Sequence, residues 1–303
     1  MRRTPSLFDL DLRLLRVFQM VVRHNGFSAA QDALGMTQAT ISSHMKLLEQ
    51  RLGVRLCERG RSGFFLTDAG KRVHSAMLDL FGSIESFQGS VAAERGELSG
   101  VLHFGTVDAM HTNPAIDLAA ALADFQRAAP RVRLEIDIAA PQTLAQGLLS
   151  GRYHVVLCPS QRYPAHMQAT DLFDEEQRLY CGRGHPLFDA DDDAVTPESL
   201  AGYPFAGRSY MTEEPICGVD FHWTAVTAHM EGTALLIVGG AYLSFLPTHF
   251  ARQWVAEGAM RAMAPDRFTF LDRFQVVRPR RERVPAVAVL AGCLTGRVRG
   301  GAS

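Results

Sequence analysis

The chain has 303 residues, of which 47% are hydrophobic and 21% charged. That composition excludes wholesale disorder and a fibrous protein, and the length allows two or three domains with their own cores. The net charge of −1 hides an asymmetry: residues 1–66 carry ten Lys/Arg against five Asp/Glu, and the remainder carries 21 against 27. A basic head on an acidic body points to an anionic partner for the head alone.

Arg2, Arg3, Asp9, Asp11, Arg13 and Arg16 leave no room for the apolar core of a secretory leader. The longest uncharged apolar run, residues 232–247, is broken by Gly239-Gly240 and is too short to span a bilayer. A cytoplasmic protein with no membrane partner is expected. Cys57, Cys158, Cys181, Cys217 and Cys293 are widely spaced and form no CxxC pair, so free thiols are expected, with no disulfide framework and no structural zinc. No GxSxG elbow, Walker loop or HExxH occurs, so no catalytic residue, metal or cofactor is assigned.

Leu12, Leu14, Leu15, Phe18, Val21 and Val22 recur at helical spacing, predicting an amphipathic helix near residues 10–24 that ends at Asn25-Gly26. Ser28-Ala29-Ala30-Gln31 reads as a capping box opening a short helix to about Leu34. Gly35 then permits a left-handed turn. Thr37 caps a second helix near 38–51, with Ile41, Met45, Leu48 and Leu52 on its apolar face. The other face carries Gln38, Thr40, Ser43, Lys46 and Gln50, with Ser42 and His44 at the edges.

Two short helices joined by a Gly-containing turn make a helix-turn-helix, whose second helix fits the DNA major groove. Gln can bond adenine bidentately, and Ser/Thr hydroxyls adapt to several base edges. Residues 52–67 read as a β-hairpin wing that lays Arg59 and Arg61 along phosphates. From Thr67 to about 94 a stripe of Val73, Met77, Leu80, Phe81, Ile84, Phe87 and Val91 predicts one long helix. Such a stripe calls for a partner, read here as the same helix of a second chain.

Beyond a hinge-like stretch at 94–100 the pattern alternates. Strands are predicted at 101–107, 132–139 and 153–158, with helices at 114–127 and 144–150 between them, as in a parallel α/β layout. The second half repeats this more loosely. Strands fall at 177–181, 204–207 and 241–246, with helices from Thr196 and near 223–231. His222 and His229 are read as ordinary helix residues, and Asp191-Asp192-Asp193 as a solvated turn.

The run from Phe27 to Arg59, containing Thr37-Gln38-Ala39-Thr40-Ile41-Ser42-Ser43-His44, and then Leu66-Thr67-Asp68-Ala69-Gly70, resembles the winged helix-turn-helix of LysR-type transcriptional regulators. Weaker phrases at 124–130, 149–151, 184–187, 200–204 and 246–247 extend the resemblance over nearly the whole chain. It implies an α/β multi-domain protein: a winged helix-turn-helix at 1–66, a linker and dimerisation helix at 67–95, and an effector-binding domain at 96–303. That last part would hold two α/β subdomains like those of periplasmic binding proteins, 96–164 plus 268–303 and 165–267.

The implied partners are double-stranded promoter DNA, a small-molecule effector and a second copy in a homodimer or homotetramer. DNA would meet Thr37, Gln38, Thr40, Ser42, Ser43 and Lys46 on the helix and Arg59 and Arg61 on the wing. Ligands of open α/β sheets sit off the carboxyl ends of strands. That selects Thr106, Asp108 and Thr112 on one loop, Gln142 and Thr143 on a second, and Arg208 and Tyr210 on a third. Arg208 could pair with a carboxylate, whereas Asp108 favours an amine. The chain departs from the family pattern with Ser43 and His44 in the reading helix, with His154, and with Tyr242, which could fill part of the cleft. The alternative is a redox-responsive or effector-independent regulator acting through Cys181 and Cys217.

Overall fold

A computed structural model describes residues 12–60, 63–93, 98–281 and 284–299. The chain divides into two compact units, residues 1–84 and 85–303. The division falls inside the long helix, not at its start.

The first unit opens with α1 (Leu12–Arg23), α2 (Gln31–Leu34) and α3 (Gln38–Leu52). β1 (Cys57–Gly60) and β2 (Gly63–Leu66) pair antiparallel as the wing, and α4 (Asp68–Ala93) follows. The capping box at Ser28 does not form. Residues 28–30 are a turn, the backbone N–H of Gln31 donates to the Ser28 carbonyl, and α2 starts only at Gln31. The Gln31 side chain does reach back, but its Nε2 donates to the Ser28 carbonyl at 3.2 Å, while its Oε1 accepts from the backbone N–H of Gln38 at 3.0 Å, closing the turn between α2 and α3. Gly35, at φ +60°, makes that turn in the left-handed region.

Leu14, Phe18 and Val21 of α1 and Ile41, Met45 and Leu48 of α3 are buried in one core with Leu56 and Met77. Val73 and Phe81 pack against the same core. The apolar stripe of α4 therefore divides. Its first half is covered by its own head, which the sequence reading did not expect, while Phe87 and Val91 farther along remain 69% and 42% exposed.

The second unit is built on a seven-stranded sheet. β3 (Ser99–Thr106) pairs parallel with β4 (Arg131–Ile138) and β5 (Val155–Pro159), and α5 (Leu118–Ala128) and α6 (Pro141–Leu149) make the crossovers. β6 (Met167–Gly182) then runs 16 residues, antiparallel to β11 (Thr269–Pro279), which also pairs with β5. Between them the chain forms α7 (Pro197–Ala201), β7 (Pro204–Arg208), β8 (His222–Thr227), α8 (Met230–Val238), β9 (Ser244–Pro247), α9 (Thr248–Ala256) and β10 (Met260–Ala262). β9 and β10 both pair with β6, and α10 (Ala286–Gly296) ends the fold.

One apolar core gathers around Phe104, Phe125, Val156, Phe274 and Leu290. Others gather around Phe205, Phe245 and Phe268, and around Ile237 and Leu246. The β6–β11 pair runs between these two lobes and supplies side chains to both.

The helix expected near 223–231 is a correction. Residues 222–227 form β8, parallel to β7, with exposure alternating along it. Trp223 stacks edge-on against Phe205 at 5.2 Å and fills the space a side chain at Gly207 would need, a contact a helix could not make. The helix starts later, at Met230. The Asp191–Asp193 run is also more than a solvated turn, because Asp192 holds Arg261 and the backbone N–H of Ala264.

His154 is buried, and its Nδ1 accepts from the backbone N–H of His103 at 3.1 Å. Burial, then the neighbouring His103, push its pKa down to about 4. The folded state thus holds the neutral ring, so its stabilising contribution is intact above the unfolded value of 6.5 and is lost as pH falls towards 4. We expect this group alone to cost about 2 kcal/mol between about pH 7 and about pH 5. Denaturant unfolding at both pH values checks this. A His154→Gln variant with an undiminished pH slope would refute it.

Candidate functional site

The α3 helix is the first site. Thr37 caps it, its hydroxyl accepting from the backbone N–H of Thr40 at 3.3 Å and lying 2.9 Å from the Thr40 hydroxyl. With Ile41, Met45 and Leu48 buried, Thr37, Gln38, Thr40, Ser43 and Lys46 stand exposed on the opposite face, and Ser42 is half-buried. Ser43 donates to the Ala39 carbonyl, which occupies its proton and leaves its lone pairs outward. Glu49 accepts from the backbone N–H groups of Leu56 and Cys57, fixing the wing to α3. Arg59 lies on β1, and Arg61 lies outside the described residues. The arrangement offers hydroxyls, an amide and an ammonium along one helix face, with the positive end of the helix dipole among them.

The second site lies between the lobes of the effector unit. Three of the contacts that join them come from the loops picked from sequence. Asp108 Oδ2 accepts from the backbone N–H of Met230 at 2.6 Å, capping α8 from the other lobe. Gln142 Nε2 donates to the Tyr210 carbonyl at 2.9 Å. Thr112 Oγ1 lies 2.8 Å from His249 Nδ1. The loops picked from sequence therefore converge, but they close on one another. The cavity they leave beside Asp108, Arg208, Tyr210 and Asp272 is about 10 Å³, room for about one water.

A roomier cavity of about 450 Å³ lies beyond, bounded by Arg208, Tyr210, Thr212, Glu214, Phe270 and Asp272. Thr143 is exposed in the first turn of α6, and Thr106 is buried with its hydroxyl unpartnered. Neither these two, nor Thr112, nor Tyr242 lines either cavity. Tyr242 lies just ahead of β9 and lines neither cavity, so the expectation that it fills the cleft is not met.

Sequence reasoning missed the buried polar chain beneath this site. Glu175, 3% exposed, accepts from Asn113 Nδ2 at 2.9 Å and from Gln177 Nε2 at 2.8 Å, and lies 2.8 Å from His249 Nε2. Gln177 Oε1 accepts from Arg208, which also donates to the Tyr210 hydroxyl at 2.5 Å and the Phe245 carbonyl at 3.1 Å. Asp272 stands directly across the β6–β11 register from Glu175. Burial pushes its carboxyl above the ordinary carboxylate range, against the pull of Arg208 and with a further push from Glu175. Burial likewise raises the Tyr210 phenol. The only sequence signal was polar residues at alternate positions in a strand, which ordinarily marks a wet face.

The thiols offer little to a redox reading. Cys181 is fully buried against Met263 Sδ, and burial pushes it up to about 12. Burial also raises Cys217. Reactive cysteines need the opposite shift. Among the described residues no group of three or more His, Cys, Asp or Glu could hold a metal ion, and no helix is long and apolar enough to cross a membrane.

Residues 12–71 match the family model "Bacterial regulatory helix-turn-helix protein, lysR family", and residues 95–299 match "LysR substrate binding domain". The chain is 37% identical over 280 residues to the HTH-type transcriptional activator BauR of Pseudomonas aeruginosa, covering 91% of this chain and 92% of that protein. Its fold is similar to full-length CbnR solved with its target DNA, with a TM-score of 0.65 at 18% identity over 95% of this chain and 100% of that one. It is also similar to LysG of Corynebacterium glutamicum solved with bound effector Arg, with a TM-score of 0.53 at 15% identity over 95% and 98% of the two chains. The chain belongs to the LysR family of transcriptional regulators.

Proposed function

We propose that this regulator reads promoter DNA in the cytoplasm through α3 and responds to a small molecule held between the lobes of its effector unit, binding it without turning it over. Gln38, Thr40, Ser42 and Ser43 face base edges, Thr37 and Lys46 flank them, and Arg59 and Arg61 hold phosphates. The exposed polar face of a capped helix whose other face is sealed into a core carries this reading. The lobes are taken as 96–164 plus 268–303 and 165–267, and closure about the β6–β11 pair would change how two heads are presented to DNA. Exposed Phe87 and Val91 on α4 support assembly as a homodimer or homotetramer.

The test is a comparison of two variants on promoter fragments enriched by the protein and on random duplex. Gln38→Ala is expected to lose about tenfold or more in discrimination, since a bidentate base contact is worth about 1–3 kcal/mol. Arg61→Ala is expected to weaken binding to all duplexes alike and reduce the salt slope by about one. Equal losses on enriched and random DNA for Gln38→Ala would overturn the assignment.

A further inference from the structure

We propose that the cavity beside Arg208 takes a small amphoteric molecule, one that presents an ammonium group to Asp272 and a carboxylate to Arg208. The proposal rests on the effector-cleft reading and names the chemistry of its occupant.

Two complementary vacancies in hydrogen bonding belong to side chains that border this one space. Arg208 is 4% exposed and spends donors on Gln177, Tyr210 and Phe245, yet its Nε has no partner. A buried guanidinium N–H without an acceptor is costly and invites one. Asp272 lines the same cavity, and among the described residues its carboxylate accepts no hydrogen bond. An unpartnered carboxylate in a half-buried site invites a charged donor.

Charge decides between a simple acid, a simple amine and a molecule with both groups. The wall holds one guanidinium, Arg208, against two carboxylates, Asp272 and Glu214, with Glu175 behind them. A plain carboxylic acid would satisfy Arg208 but meet three like charges. A plain amine would satisfy Asp272 but leave the guanidinium N–H orphaned. A neutral zwitterion answers both without adding net charge. Tyr210 and Phe270 on the same wall suit an ammonium over aromatic faces, and Met211 and Ile216 suit a short hydrocarbon spacer. About 450 Å³ lies within the range of small-molecule sites.

The experiment uses the full chain, read by thermal shift and calorimetry. The probes are short straight-chain amino-carboxylic acids, the same acids without the amine, and the same amines without the carboxylate. At least one amphoteric probe is expected to raise the melting temperature while its matched acid and matched amine do not. Asp272→Asn removes no hydrogen bond within the chain, so it should fold, and it is expected to weaken that probe at least about tenfold. Arg208 variants are avoided because Arg208 ties together three neighbours. A matched acid that binds as tightly as the amphoteric probe and ignores Asp272→Asn would overturn the proposal while leaving the effector cleft standing. Failure of every amphoteric probe to bind would also overturn it. A DNA-binding response to a non-amphoteric compound would then show that the cleft reading survives.

Discussion

Replacing Glu175 with alanine is expected to cost about 3–5 kcal/mol, the usual penalty for breaking a buried charged network from one side. Asn113 and Gln177 each lose their acceptor, and His249 Nε2 loses its partner. Arg208 loses a nearby counter-charge while staying buried. None of these groups reaches water, so each bears its own desolvation cost. Thermal unfolding of the effector unit should move down by about 10 °C at that size of domain. Glu175→Gln keeps the shape and one acceptor, so a smaller loss is expected. A melting temperature for Glu175→Ala within about 2 °C of the parent would show that the network contributes no net stability.

Gly70→Ala is expected to disrupt the other unit. Gly70 lies in the first turn of α4, and a Cβ there would sit 1.9 Å from the Leu56 carbonyl oxygen and 2.9 Å from its carbon. The obstacle is backbone, and that same carbonyl already accepts from the Thr67 N–H at 3.0 Å. The helix must lift off or the segment before the wing must move, at a cost of about 3 kcal/mol or more. DNA binding should be lost while the effector unit keeps its own melting transition. Gly292→Ala is the control. It makes the same chemical change inside α10, where the new methyl meets nothing within 4 Å. There the gain in helix propensity predicts a stabilisation of up to about 1 kcal/mol. Similar effects from the two substitutions would remove the packing argument.

The head was largely legible in sequence because its contacts are local. The spacing of Ile41, Met45 and Leu48 names the buried face of α3, and Thr37 names its start. Even there, the bond from the Gln38 N–H to Gln31 Oε1 was not read, since it lies across a turn whose path a linear motif does not show. The body was less legible because its decisive pairings are distant. The first ten residues of β6 carry Asp171, Asp174, Glu175 and Glu176 and do not look like a strand. They become one only when β11 brings Arg273 to Asp174 and Gln275 to Asp171, about a hundred residues later in the chain.

The candidate cleft follows the same division. Asp108, Gln142, Arg208 and Tyr210 were found because strand ends in α/β sheets are a general rule. Asp272, Glu175 and His249 were not, because their role exists only where β6, β11 and α9 meet.

The β6–β11 pair also sets a parity constraint. Side chains alternate along a strand, so the positions that aim Glu175 and Gln177 into the polar chain and Leu179 and Cys181 into apolar packing are locked to an even count. A lesion that adds or drops a single codon here would turn every later side chain inside out and spoil two cores at once. The ribbon already absorbs one extra residue, at the bulge where Phe274 faces Phe173 and Gln275 faces Asp171, so past that bulge a change in length is expected to be tolerated only in the loops at either end.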